Sequence, residues 1–187
     1  MARSEILAAA EELLRERAFR DLSVEDVMAV TSMSRSSFYV YFRDRHDLLL
    51  HLVQQIGDEI FALADRWYHG GGDPRAELRE GLDGVAVAYA RHGRVLRAIS
   101  DAAVVDPQVE TVYRSLIERF VVASEVRLAQ EPVAGGVGVE QRQQIALSLV
   151  LMTERYLNHS FGDSVPLVTP ALAAEALLVI WQRTLYG

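Results

Sequence analysis

Apolar residues recur with a helical period along nearly the whole chain, and no stretch sustains the alternation and β-branched enrichment of a strand. Val24, Val27 and Met28 form a one-sided apolar face; Phe38 and Phe42 form another, four residues apart. Proline and glycine divide these segments. Asp73-Pro74, Asp106-Pro107 and Thr169-Pro170 are helix starts with a mechanism: the Asp or Thr oxygen accepts an orphan amide, and proline at the first helical position lacks one. Gly70-Gly71-Gly72 and Gly135-Gly136-Val137-Gly138 are breakers. The pattern predicts nine helices, over 3–18, 24–30, 34–41, 45–68, 74–91, 94–103, 107–130, 139–162 and 170–186. The fold class is all-α.

Two units follow from this order. Residues 1–47 make a small helical unit, and residues 48–187 a larger bundle. The long helix over 45–68 belongs to both, so no flexible linker is expected between them.

Residues 23–42 carry the clearest motif. Ser23 followed by Asp26 reads as a capping box whose acid is one carbon short. Thr31-Ser32-Met33 interrupts the apolar face, with Met33 as the buried plug of a tight turn, and Ser34 caps the next short helix. That helix turns Phe38 inward and Arg35, Ser36, Ser37, Tyr39 and Tyr41 outward. A short helix after a three- or four-residue turn is the geometry that enters a major groove. Arg can read a guanine edge, and Tyr can donate to phosphate. A plain helical hairpin inside a bundle has the same spacing.

Charge first argues against nucleic acid, because the chain carries a formal net charge of −7. The local count differs: Ser34 to His46 holds Arg35, Arg43 and Arg45 against Asp44 alone. A basic strip on an acidic body suits a specific binder better than a non-specific one. All 19 basic residues are Arg, so any phosphate contact falls to Arg, a backbone amide or a hydroxyl.

Composition removes other classes. With no Cys and five His that never fall four residues apart, no metal site is expected. No nucleophile elbow or phosphate loop is present, so neither catalytic residues nor a cofactor are expected. No apolar run reaches the ~20 residues that span a bilayer, and the N-terminal residues lead into an amphipathic pattern. No membrane association and a cytoplasmic protein are expected.

The stretch Ser23 to Leu49, above all the aromatic box Phe38-Tyr39-Val40-Tyr41-Phe42-Arg43-Asp44-Arg45-His46-Asp47-Leu48-Leu49, resembles the DNA-binding domain of TetR-family transcriptional regulators. Two positions depart from that pattern: Ser32 stands where the turn glycine is usual, and Ser36 where Gly or Pro is common. The resemblance implies a homodimer on a palindromic double-stranded operator. By residue it implies phosphate contact by Arg45, backbone contact by Tyr39 and Tyr41, groove-facing or base-facing roles for Arg35, Ser36 and Ser37 at the head of the helix capped by Ser34, and a cap near phosphate at Ser23.

The last two helices carry apolar residues on nearly every face, for example Leu172, Leu177, Leu178, Val179, Ile180 and Trp181 in the last one. A helix apolar all round must be covered all round. The edge of so small a bundle covers one side, so a homodimer through the last two helices is expected.

Within the bundle, Trp67, Tyr89, Tyr113, Phe120, Tyr156 and Trp181, with Ser124, Thr153 and Asn158 as polar handles, are either the lining of a cavity or ordinary core. Leu151-Met152-Thr153-Glu154-Arg155 and Ile180 to Gly187 resemble the EthR-type repressors of the TetR family. That resemblance implies a long apolar ligand tunnel with Ile117, Phe120, Ser124, Thr153 and Trp181 on its wall. Tyr89 and Tyr156 complete the expected ligand-binding set. Thr153 stands where such repressors carry Asn. Glu118-Arg119 and Glu154-Arg155 read as surface or interface pairs, so a lipophilic, uncharged effector is expected. The sequence leaves open a regulator without ligand control, or an activator.

Overall fold

The computed structural model describes residues 2–187; Met1, the first residue of the expected N-terminal unit, lies outside them. The described residues form eight α-helices, two short 3₁₀ turns and no strand.

Helix α1 (Ala2–Leu14) buries Ile6, Leu7, Ala10 and Leu14. It stops short of the expected residue 18, and a 3₁₀ turn over Phe19–Asp21 then sinks Phe19 into the core. Helix α2 (Val24–Ala29) opens with a complete capping box. The Asp26 amide donates to Ser23 Oγ at 3.1 Å, and the Ser23 amide donates to Asp26 Oδ2 at 3.0 Å. The shorter acid therefore still closes the box, and the Ser23 hydroxyl, which also donates to Asp26 Oδ2, together with the Ser23 amide holds the Asp26 carboxyl below the usual range.

The turn that follows needs no glycine. No described non-glycine residue has positive φ. Thr31 Oγ1 donates to the Met28 carbonyl at 2.9 Å and accepts from the Met33 amide at 3.3 Å. Ser32 is tied to α1, its amide and hydroxyl donating to Glu5 Oε1 at 3.2 and 3.1 Å. Met33 is half-buried rather than a fully buried plug. Helix α3 (Arg35–Tyr41) hangs from its inner aromatic, Phe38, which is fully buried and touches Phe42 with ring centroids 5.4 Å apart.

Helix α4 (Arg45–His69) starts where Asp44 Oδ1 accepts from the amides of His46 and Asp47. It buries Leu48, Leu49 and Leu52 in the N-terminal unit and Ile60, Ala64, Trp67 and Tyr68 in the body. Helices α5 (Pro74–Ala103), α6 (Pro107–Leu128), α7 (Val139–Phe161) and α8 (Pro170–Tyr186) complete the bundle. Helix α5 lies against α4, α6, α7 and α8, and α6 against α4 and α7. Asp73, Asp106 and Thr169 cap as their Pro pairs predict.

The count of nine helices is corrected to eight. The segments expected over 74–91 and 94–103 are one 30-residue helix that runs through Gly93. Gly93 serves close approach rather than a break: a Cβ there would lie 2.4 Å from the Phe161 carbonyl oxygen. Bare backbone at Gly93 lets the end of α7 cross α5.

Candidate nucleic-acid interface and internal cavity

The outer face of α3 is polar and open. Tyr39 and Tyr41 are 51 % and 40 % exposed. Ser34 occupies the N-cap position, but its hydroxyl makes no cap bond to the backbone. It meets the hydroxyls of Ser36 at 2.8 Å and Ser37 at 3.0 Å instead. The expectation that the Ser34 side chain caps this helix is corrected: the three hydroxyls satisfy one another, a chain that incoming phosphate oxygens can replace.

Arg35 is held rather than free. Its Nε lies 2.8 Å from Glu25 Oε1 on α2, and Nη2 donates to the Tyr39 hydroxyl at 3.4 Å. Both Arg35 and Glu25 are more than half exposed, so water weakens the pair and it can be exchanged for a base edge. Arg45 turns toward the N-terminal unit. Its Nη1 donates to the carbonyls of Arg20 and Leu22, each at 3.2 Å, and its guanidinium stands 5.0 Å from the Phe19 ring centroid. Ser23 is taken up by the capping box.

Sequence reasoning passed over Val40, which is 75 % exposed on α3 beside Tyr39 and Tyr41. Its signal was an apolar residue out of register with Phe38 and Phe42; a surface valine there can meet a thymine methyl.

Two side-chain ties join this unit to the body. Buried His92 on α5 has Nδ1 2.7 Å from Glu11 Oε1 on α1 and Nε2 3.3 Å from Glu59 Oε2 on α4. His46, at the start of α4, has Nε2 2.8 Å from Oδ2 of Asp106, the N-cap of α6. The His92 bond holds the Glu11 carboxyl below the usual range, and the His46 bond does the same for Asp106.

Between α4, α5, α6 and α7, with Trp181 from α8, lies a cavity of about 80 Å³. Tyr89, Ile117, Phe120, Thr153 and Trp181 meet on its wall, joined by Trp67, Tyr68, Leu116 and Tyr113 among others. Trp181 Nε1 donates to Thr153 Oγ1 at 3.0 Å, and its ring stands edge-on to Trp67 at 5.4 Å. Burial pushes the Tyr68 phenol up to about 12 and raises Tyr89 and Tyr113 as well, so all three are neutral donors at ordinary pH.

Two expected lining residues lie elsewhere. Ser124 is fully buried one turn beyond Phe120, next to Tyr68, outside the lining. Tyr156 is half-buried against the core and also outside it. Glu154, expected at the surface or an interface in a pair with Arg155, instead lines the cavity. It accepts at Oε1 from the Tyr113 hydroxyl and from Asn158 Nδ2, while Arg155 points out to solvent. One residue along a helix is a turn of about 100°, so neighbours in sequence need not share a face.

A helix-turn-helix with an open second helix, set on an all-α body, defines a DNA-binding transcriptional regulator. Residues 6–52 match the family "Bacterial regulatory proteins, tetR family", and residues 78–187 match "Transcriptional regulator EthR, C-terminal domain". The chain belongs to the TetR family and carries an EthR-type C-terminal domain. It is 27 % identical over 188 residues to the HTH-type transcriptional regulator EthR of Mycolicibacterium smegmatis, covering 97 % of this chain and 85 % of the relative. The Mycobacterium tuberculosis protein of that name (strain H37Rv) is also 27 % identical, over 97 % of this chain and 86 % of its own length. Among solved structures, a putative TetR-family regulator from Syntrophomonas wolfei superposes with TM-score 0.83 at 18 % identity, over 100 % of this chain and 95 % of that one. A regulator from Rhodococcus sp. Rha1 superposes with TM-score 0.80 at 18 % identity, over 99 % and 96 %. These relatives are regulators, not enzymes. No helix among the described residues is long and apolar enough to cross a membrane.

Proposed function

We propose that the chain is a cytoplasmic, ligand-responsive repressor that binds a palindromic operator as a homodimer and leaves it when a largely apolar small molecule enters the cavity. In this reading residues 1–47 hold the operator, and residues 48–187 hold the effector and the second protomer. Ser23, Ser34, Arg35, Ser36, Ser37, Tyr39, Tyr41 and Arg45 form the DNA-facing set. The observation that carries the proposal is the continuity of α4. Its first turn holds Arg45 and His46 beside the candidate DNA face, and its last turns supply Ile60, Ala64, Trp67 and Tyr68 to the cavity wall. Helix α6 touches both ends of the route, through Asp106 on His46 and through Ile117 and Phe120 on the cavity.

Dimerisation finds support in α8. One face buries Ala173, Ala174, Leu177, Leu178, Trp181 and Leu185, while Leu172, Val179 and Ile180 on the other stand 54 %, 53 % and 44 % exposed. An apolar stripe of that kind suits an isologous contact with its symmetry mate.

The cavity volume favours a specific mode of control. Sites for drug-sized ligands enclose roughly 300–1,000 Å³, against about 80 Å³ here. An effector must therefore widen the cavity, and the bound form differs from the empty one. That difference is what lets a ligand bias DNA affinity; a coupling of about 1–3 kcal/mol changes it roughly 5- to 150-fold. The same small volume favours a regulator without ligand control as the second reading. Release of a labelled operator, followed by anisotropy against lipophilic esters and alcohols and against sugars and nucleotides, separates the readings. Release by lipophiles alone is expected; release by sugars or nucleotides alone overturns the cavity assignment, and release by none favours the second reading.

A further inference from the structure

At one end of the apolar cavity sits a carboxylate that the protein only half satisfies. Glu154 is half-buried on α7 and makes no salt bridge among the described residues. Both of its protein donors, the Tyr113 hydroxyl and Asn158 Nδ2, converge on Oε1. No described protein group donates to Oε2. Beside it, Asn158 is 1 % exposed, and its carbonyl oxygen Oδ1 is buried with no donor. Of these two residues Glu154 lines the cavity, while Asn158 lies behind it and holds Oε1 through its amide, so Oε2 is the acceptor left for a ligand. Tyr113, which donates to Glu154, and Tyr89 line the cavity as well. The remaining wall, from Leu82 past Ile117 and Phe120 to Trp181, is apolar.

We propose that the cavity takes an amphiphilic amine, its ammonium on Glu154 Oε2 and its hydrocarbon or aryl tail along Phe120 and Trp181. This rests on the cavity being an effector site and fixes the chemistry of the effector's polar end. An ammonium offers three donors and a charge opposite to Glu154. An alcohol of the same length offers one donor and no charge, and a fatty acid brings a second carboxylate beside the first.

The test is titration calorimetry of the full-length protein at pH 7 with n-octylamine, n-octanol and octanoate. A charge-assisted contact in a shielded site predicts that the amine binds roughly tenfold or more tightly than the alcohol. Octanoate is expected to bind weakest. Glu154→Gln keeps an acceptor for Tyr113 and Asn158 and removes the charge, so it should abolish the preference for amine over alcohol. Glu154→Asp keeps the charge and should keep part of the preference, which guards against a Gln variant that fails to fold. Equal affinity for amine and alcohol, or a preference that survives Glu154→Gln, overturns the amine assignment while the effector cavity stands. Binding of none of the three overturns both.

Discussion

Truncation of Trp181 to alanine tests the cavity wall and gives a magnitude. Trp181 is 4 % exposed, stands edge-on to Trp67 at 5.4 Å and donates from Nε1 to Thr153 Oγ1 at 3.0 Å. Removing a buried Trp side chain costs about 3–5 kcal/mol, a range that includes the area lost and the space left behind. Within it the aromatic pair accounts for about 0.5–1.5 kcal/mol and the hydrogen bond for about as much again. Thr153 keeps access to water or ligand in the enlarged cavity, so its hydroxyl adds little further penalty. Urea denaturation of wild type and Trp181→Ala at one fixed protein concentration measures the loss, with unchanged slope if the folded and unfolded states stay comparable. The variant should also recover part of the loss when a lipophile is added, by about 2.7 kcal/mol at a hundred times its Kd. Wild type must first widen its small cavity and should gain less at equal concentration. A loss below about 1 kcal/mol would mean Trp181 is not an anchored wall residue. A full loss with no recovery by any lipophile would mean the space it vacates collapses instead of receiving a ligand.

Arg35→Ala should relax base preference in selection from randomised operators; unchanged preference would assign Arg35 to the backbone. Arg45→Ala should weaken binding to all sequences alike and reduce the salt slope by about 1. It should also lower thermal stability, because Arg45 bonds two carbonyls and covers Phe19. Ile180→Glu should convert a species of twice 20.9 kDa into one of 20.9 kDa by sedimentation, and a wild type already monomeric at micromolar concentration would sink the dimer. Glu11 and Asp106 are carboxyls whose folded values lie below their unfolded ones, held there first by His92 and His46. Their contribution is therefore complete above the ordinary carboxylate value of about 4 and is lost as pH falls below it through the folded values. Glu11→Gln should make the acid branch of the stability curve shallower; an unchanged branch would show that the His92 contact does not lower this carboxyl.

The helix starts and the inner face of α3 were legible because their signals are local. A serine three residues before an acid, or an Asp or Thr before Pro, fixes a helix start through atoms a few bonds apart, and Ser23, Asp73, Asp106 and Thr169 cap accordingly. Phe38 and Phe42 declared the inner face of α3 by spacing alone. The failures were long-range. Gly93 reads as a breaker in one dimension, and only the nearness of Phe161 reveals why it is glycine inside a helix. Glu154 reads as half of a surface or interface pair until α6 brings Tyr113 against it. Ser32, where a glycine is usual, is explained by an acid 27 residues earlier, at Glu5. The wall shared by Tyr89, Ile117, Phe120, Thr153 and Trp181 was legible mainly through family resemblance, since aromatics at helical spacing look the same in a solid core.

Helix α4 also sets a scale for motion. Its 25 residues make a rod about 37 Å long at roughly 1.5 Å per residue. If an effector pushes on Trp67 and Tyr68 at one end and the rod tilts by about 5°, the other end sweeps about 3 Å. In a two-fold dimer the paired recognition helices would then spread or close by up to about 6 Å, against half-sites held one helical turn apart at about 34–36 Å by the stiffness of the duplex. A hydrogen bond to a base edge tolerates only a few tenths of an ångström. A tilt of that size would throw both protomers of such a dimer out of step with the operator at once, and at the same end of α4 it would strain the His46–Asp106 contact.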